Sequence, residues 1–305
     1  MRTEEACEFD FRRQGPYWHL YTPGELTELI FTCESEFTFG MNLVALCLAL
    51  FPGLRVVSFT LMNNHFHFLL AGNREDAEAF FEMYRRRLKR YLTGRGRYVD
   101  LSSLKAELFE IPDLRALRSE IVYVNRNGYV VQPDHTPYSY PWSAGVFYFN
   151  PLLERKTTGK PLAGLSYRET RQLFHGRTFP LPDSYRIIGE LIQPSSYCCI
   201  REGEGCFRNA HQYFYYLSKD QESKSAISKR LNDSAFLTDE ELFGVARGLS
   251  ARMHDGLAPA MLPLPAKKEM AIKMHYDYKA TVNQVRRIFR LDPAVLKEMF
   301  PRAAL

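Results

Sequence analysis

The stretch LMNNHFHFLLAG, residues 61–72, decides the fold. Its second half is aromatic and apolar without a break. The run that leads into it, LRVVSFTL (54–61), is rich in β-branched and aromatic side chains. Runs of this kind on either side of a short polar Asn63-Asn64 read as two strands joined by a tight turn. Side chains alternate along a strand, so His65 and His67 point to one face and Phe66 to the other. Two imidazoles on one face of a rigid strand can share a divalent ion. An isolated H-x-H is a common accident, and the flanking segments give this one its weight.

Outward from this hairpin, YWHLYT (17–22) predicts a strand, closed by a turn at Pro23-Gly24. Residues 38–50 predict a buried helix ended by Pro52-Gly53, and 75–92 a long helix with a cationic second half. A further helix is predicted from Glu110 to about Asn125, with Gly128 at its C-cap. After Val131 the chain turns aromatic and proline-rich (PDHTPYSYPW), which reads as a loop packed on the first domain. Three regions follow: a domain over 1–150, a connecting segment over 151–215, and an all-helical region over 216–305.

Composition narrows the function classes. The 305 residues are 46% hydrophobic and 25% charged, ordinary for a globular protein. No apolar run is long enough to span a bilayer, and the acidic N-terminus lacks the core of a signal peptide. The six cysteines include no C-x-x-C pair, which argues against a zinc finger or ribbon. A cytoplasmic location with reduced thiols is the expectation, without a membrane partner.

The formal net charge is only +5, but it is unevenly spread. Residues 85–97 (RRRLKRYLTGRGR) hold seven basic residues and no acid: Arg85, Arg86, Arg87, Lys89, Arg90, Arg95 and Arg97. Such density suits a nucleic-acid backbone. From Lys267 to Arg302 there are nine basic and four acidic residues, a net +5. The spacing over 267–299 fits a helix-turn-helix, with Met270, Ala271 and Met274 packing on Val282, Val285 and Ile288. Asn283, Gln284, Arg286, Arg287 and Arg290 are then the outward, DNA-facing residues.

Several segments in order resemble the single-tyrosine HUH transposases, nearest to the REP-associated tyrosine transposases and related insertion-sequence enzymes. YWHLYTPG resembles the family's first strand, M-x-N-H-F-H-F-L-L its histidine strand, EIVYVNRNGYV (120–130) its nucleophile helix, and PYSYPWSAGVFYF (137–149) its Pro-Trp-Ser segment. The likeness spans roughly residues 15–150. It implies an α+β domain, an antiparallel sheet with packed helices, that cuts and rejoins single-stranded or hairpin DNA. The route is a 5′-phosphotyrosine intermediate with Mg²⁺ or Mn²⁺. The implied metal ligands are His65, His67 and an amide from the tyrosine helix, matched here to Asn125. Relatives include dimers as well as monomers, which makes a homodimer one expected state.

One position departs from the family. Its nucleophile lies four residues before the amide ligand, where this chain has Ile121. The nearest tyrosine is Tyr123, about 200° around the helix from Asn125 at about 3.6 residues per turn. Three readings stay open. Tyr123 reaches the site through a distorted helix, or another tyrosine such as Tyr84 or Tyr91 substitutes, or the chain binds DNA without cutting it. An unrelated metal-dependent hydrolase built on the same two histidines is a further reading, with no second metal-spaced cluster behind it.

Overall fold

The computed structural model describes residues 9–22, 29–101, 104, 106–131, 139–156, 159–175, 181–219, 239–278 and 280–301. The Pro23-Gly24 turn, the PDHTPY part of the aromatic loop and the first residues of the expected helical region after 219 lie outside them. The chain divides into two compact units, 1–227 and 228–305.

The first unit is built on four antiparallel strands: β1 (Tyr17–Tyr21), β2 (Arg55–Leu61), β3 (Phe66–Ala71) and β4 (Glu107–Ile111), in the order β2-β3-β1-β4. The expected hairpin is present, with Thr60 opposite His67, and β1 adds Tyr21 opposite His67 on the other side. These facing residues share one face of the sheet. Residues 11–14 form a single-turn helix, α1, ahead of β1.

Helices α2 (Glu34–Leu48) and α3 (Arg74–Gly94) follow the expected apolar spacing. Helix α3 packs on the sheet face opposite to His67: Tyr84 meets Phe66 and Phe68, and Phe80 meets Phe68. Helix α4 (Leu114–Val131) covers the histidine face, where Thr60 Oγ1 donates to the Val124 carbonyl at 2.7 Å. The structure is therefore α+β, as the sequence implies.

The helix predicted from Glu110 is corrected. Glu110 and Ile111 belong to β4, paired with Trp18 and Tyr17. Pro112 ends the strand, and Asp113 caps the new helix by accepting from the Ala116 N–H at 2.7 Å. Gly128 is not a C-cap but lies inside α4, where a Cβ would overlap the Tyr140 ring. That ring cannot easily retreat, because Tyr140 is buried and donates to the Leu61 carbonyl at 2.6 Å. Gly128→Ala is accordingly expected to destabilise the protein. Helix propensity favours alanine by about 1 kcal/mol, but overpacking costs up to about 3 kcal/mol at so close an approach, so a net loss of up to about 2 kcal/mol should appear as a lower urea midpoint.

Residues 139–149 border β2: the Leu61 N–H donates to the Trp142 carbonyl and the Ala144 N–H to the Phe59 carbonyl. The region 151–215 carries α5 (Pro151–Lys156), α6 (Tyr167–Phe174), α7 (Ile200–Gly205), α8 (Ala210–Lys219) and a small sheet of residues 160–161, 186–188 and 191–192. It is fastened to the first sheet and its helices by polar bonds. Asn42 bonds the Glu190 carbonyl and the Ile192 N–H, and Arg55 pairs with Glu202 at 2.9 Å.

The second unit is helical: α9 (Asp239–Met253), α10 (Leu264–Asp277), α11 (Val282–Phe289) and α12 (Pro293–Met299). Its core joins Leu242, Ala246 and Leu249 to Met270, Met274, Val282, Val285 and Ile288. Gln284 does not face outward as expected. It is buried, because Thr281 and Gln284 form a capping box: the Thr281 N–H donates to Gln284 Oε1 at 2.9 Å and the Gln284 N–H to Thr281 Oγ1 at 3.2 Å. Arg286, Arg287 and Arg290 are exposed and Asn283 is half-buried.

Candidate active site

The His65 and His67 rings lie side by side on one face, 5.2 Å between centroids and nearly perpendicular. Both are buried. Burial disfavours their charged forms: His65 is pushed down to about 3, and His67 is held well below the ordinary imidazole range by burial, His19 and His65. At neutral pH both are therefore uncharged.

Their hydrogen bonds bear on which nitrogen carries the proton. The side-chain oxygen of Asn64 can only accept, so His65 Nδ1, 2.6 Å away, is the N–H and His65 Nε2 keeps its lone pair. His67 Nδ1 lies 3.0 Å from Nε2 of His19, on β1. His19 Nδ1 in turn lies 2.8 Å from Oε2 of Glu120, on α4. His19 is fully buried and Glu120 nearly so.

Tyr123 faces this group. Its ring centroid is 5.8 Å from that of His67 and 6.2 Å from that of His19. Tyr123 is thus turned towards the histidines, against the expectation that it points away from the site. The physical cause is the pairing of Glu120 with His19. Glu120 and Tyr123 are three residues apart and share a helix face. Asn125 meets the same sheet face at β2: its Oδ1 accepts from Ser58 Oγ, two residues from Thr60, and its Nδ2 donates to Tyr213 Oη at 3.0 Å. Ile121 is buried as well.

Asn127, four residues after Tyr123, shares Tyr123's face of the helix. It is buried, and its Nδ2 has no hydrogen-bond partner among the described residues. Among the described residues no three or more His, Cys, Asp and Glu side chains are arranged to hold a metal ion. The third ligand that the sequence resemblance implies is an amide. Asn127 fits that need, as a buried polar group on the tyrosine face.

Tyr84 and Tyr91 are remote from this arrangement. Tyr84 packs on the opposite sheet face, and Tyr91 stacks on Phe39 and donates to the Ser35 carbonyl at 3.2 Å. The basic run also belongs to α3, on the face away from the histidines. Arg97 is structural, binding Glu36 at 2.6 Å and the Ile30 and Leu29 carbonyls. Arg85 is tied to Glu82 and the Leu101 carbonyl. Arg86, Lys89, Arg90 and Arg95 are exposed and Arg87 is half-buried; Arg86 reaches back to the Glu82 carbonyl and Arg95 lies over the Tyr91 ring.

His19, Glu120 and Asn127 carry signals in the sequence. His19 alternates with Tyr17 and Tyr21 on a predicted strand. Glu120 is the lone acid at the head of the apolar run IVYV, and Asn127 stands one turn beyond the tyrosine.

Fold and site together define an α+β protein whose antiparallel sheet presents two neutral imidazoles to a buried phenol. No protein-family model and no curated protein matches the chain. Among solved structures it is similar to a REP-associated tyrosine transposase bound to a REP hairpin, at 11% identity and a TM-score of 0.36. That match covers 58% of this chain and 94% of the other. No helix among the described residues is long and apolar enough to cross a membrane.

Proposed function

We propose that this chain is a DNA-binding, metal-dependent transposase-like enzyme that cuts and rejoins single-stranded DNA through Tyr123. The observation that carries the reading is the pair of neutral imidazoles beside a tyrosine ring. His65, His67 and Asn127 are the residues that would hold Mg²⁺ or Mn²⁺. The ion, when bound, supplies Lewis-acid stabilisation of charge on the phosphate oxygens. Tyr123 Oη attacks phosphorus: the O–P bond forms, the P–O3′ bond breaks, and the released 3′ oxygen takes up a proton. Reversal of the same step rejoins the strand, so no nucleotide is consumed. The histidines, neutral at pH 7, serve as donors of lone pairs and not of protons.

The test is incubation with labelled hairpin DNA and Mn²⁺, then a denaturing gel. A covalent protein–DNA adduct that needs the metal is the expected result. The burial of His65, His67 and Tyr123 favours a second reading, a relative that holds DNA without cutting it. DNA binding with no adduct under either metal, across many hairpins, would establish that alternative.

DNA affinity is expected to rest on the exposed basic residues of the 85–97 run and, in the second unit, on Arg286, Arg287 and Arg290 of a helix-turn-helix reading. Replacing Arg86, Arg90 and Arg95 together by glutamine should flatten the dependence of log affinity on log salt. On a single strand, each phosphate that is no longer neutralised lowers the slope by about 0.7. A slope that does not move would mean that this helix faces solvent in the complex.

A further inference from the structure

We propose that Glu120 and His19 are positioning residues for His67, holding its ring as the Nδ1–H tautomer with the Nε2 lone pair presented to a divalent cation. The proposal rests on the metal-dependent reading above. Three elements that are far apart in sequence converge to make the arrangement. Glu120 Oε2 on α4 is 2.8 Å from His19 Nδ1, and His19 Nε2 on β1 is 3.0 Å from His67 Nδ1 on β3. A carboxylate only accepts, so His19 Nδ1 donates to it. Where each ring carries one proton, a single arrangement satisfies the rest. His19 Nε2 accepts, His67 Nδ1 donates, and His67 Nε2 is left with its lone pair.

Two features point to this role over simple stabilisation. A buried ion pair or charge-assisted pair adds little net stability against an apolar replacement, since both partners lose their hydration. Apolar side chains would fill the space between α4 and the sheet without that cost. The chain of bonds also ends on a metal-ligand candidate, not on a backbone group. Metal-binding histidines commonly donate their second nitrogen to a carboxylate or carbonyl, which fixes the tautomer and raises the basicity of the ligating nitrogen. Here His19 is interposed, and it extends the reach of Glu120 from the helix to the third strand. The same Glu120 carboxylate supplies negative charge against the cation. His65 is set by an independent local device, the Asn64 side chain.

The test uses the full chain with and without Glu120→Gln, which keeps size and removes the charge. Nitrogen NMR of the imidazoles reads the tautomer without metal, and titration with Mn²⁺ followed by electron paramagnetic resonance reads affinity. Wild-type His67 is expected as Nδ1–H. Glu120→Gln is expected to mix the tautomers and to weaken Mn²⁺ about 10–100-fold, with folding intact by circular dichroism. Glu120→Asp, which restores the charge, should recover part of that affinity. An Nε2–H tautomer in the wild type overturns the proposal, and that spectrum needs no variant to fold. Unchanged tautomer and affinity in Glu120→Gln also overturn it, while leaving the metal reading in place. A wild type that binds no Mn²⁺ yet shows His67 as Nδ1–H removes the metal reading and retains the positioning.

Discussion

Tyr123→Phe is expected to abolish the covalent DNA adduct while leaving Mn²⁺ and DNA affinity within about twofold of wild type. Phenylalanine keeps the ring that packs against His67 and His19, and removes only the nucleophilic oxygen. The loss of one buried hydroxyl costs about 1 kcal/mol of stability, too little to unfold the domain. Tyr84→Phe and Tyr91→Phe should leave the adduct intact, because Tyr84 packs on the opposite sheet face and Tyr91 stacks on Phe39 of α2. Ile121→Tyr is not expected to rescue Tyr123→Phe. Position 121 is two residues from 123, about 200° around the helix at about 3.6 residues per turn, and it is fully buried. An adduct that persists in Tyr123→Phe would move the nucleophile to another residue and remove the main support for the proposed chemistry.

The helix phase on which that prediction depends shows what the sequence makes legible and what it hides. The hairpin around His65 and His67, the α+β class and the long basic helix follow from local patterns: period-two alternation, β-branched runs and apolar spacing. They are readable because each is written within a dozen residues or so. Strand β4 is not. ELFEI is short and half-exposed, and it becomes a strand through pairing with β1, some ninety residues away. The rotation of α4 is hidden for the same reason. Counting back from Asn125 gives Ile121, whereas the contact between Glu120 and His19 turns the helix so that Tyr123 and Asn127 share the inner face. A buried acid in an apolar run and a histidine on a strand each have a local reading; only their meeting reveals the site. Residues 151–215 resist reading because their short elements depend on polar bonds to α2 and β2 for their placement.

The apo protein is expected to lose stability steeply between pH 7 and pH 5, before its carboxylates titrate. His65 is held down to about 3 by burial, and His67 well below the ordinary range by burial and its histidine neighbours. In the unfolded chain both rings take up protons near pH 6.5, so below that pH the unfolded state binds more protons than the folded one. Stability is fully present above about pH 6.5 and falls as the pH drops towards the folded values, by about 1.4 kcal/mol per unit for each such histidine. Two histidines give a slope of nearly 3 kcal/mol per unit, a large share of the roughly 5–15 kcal/mol that a domain has in reserve. The window separates this effect from the acids. Burial raises the Glu36 carboxyl, but the hydrogen bonds of Arg97 and Thr32 outweigh it and bring it below 4.5, so that contribution is lost only at lower pH. Urea midpoints at half-unit steps measure the slope, and His65→Gln should reduce it by about half. Saturating Mn²⁺, at about 100 times its dissociation constant, should add about 2.7 kcal/mol at pH 7, and most of the gain should persist to pH 5, because the folded rings stay unprotonated there and keep their Nε2 lone pairs for the metal. A midpoint that stays level from pH 7 to pH 5 would mean that the rings take up protons in the folded state, and would overturn the buried, neutral pair on which the metal site depends.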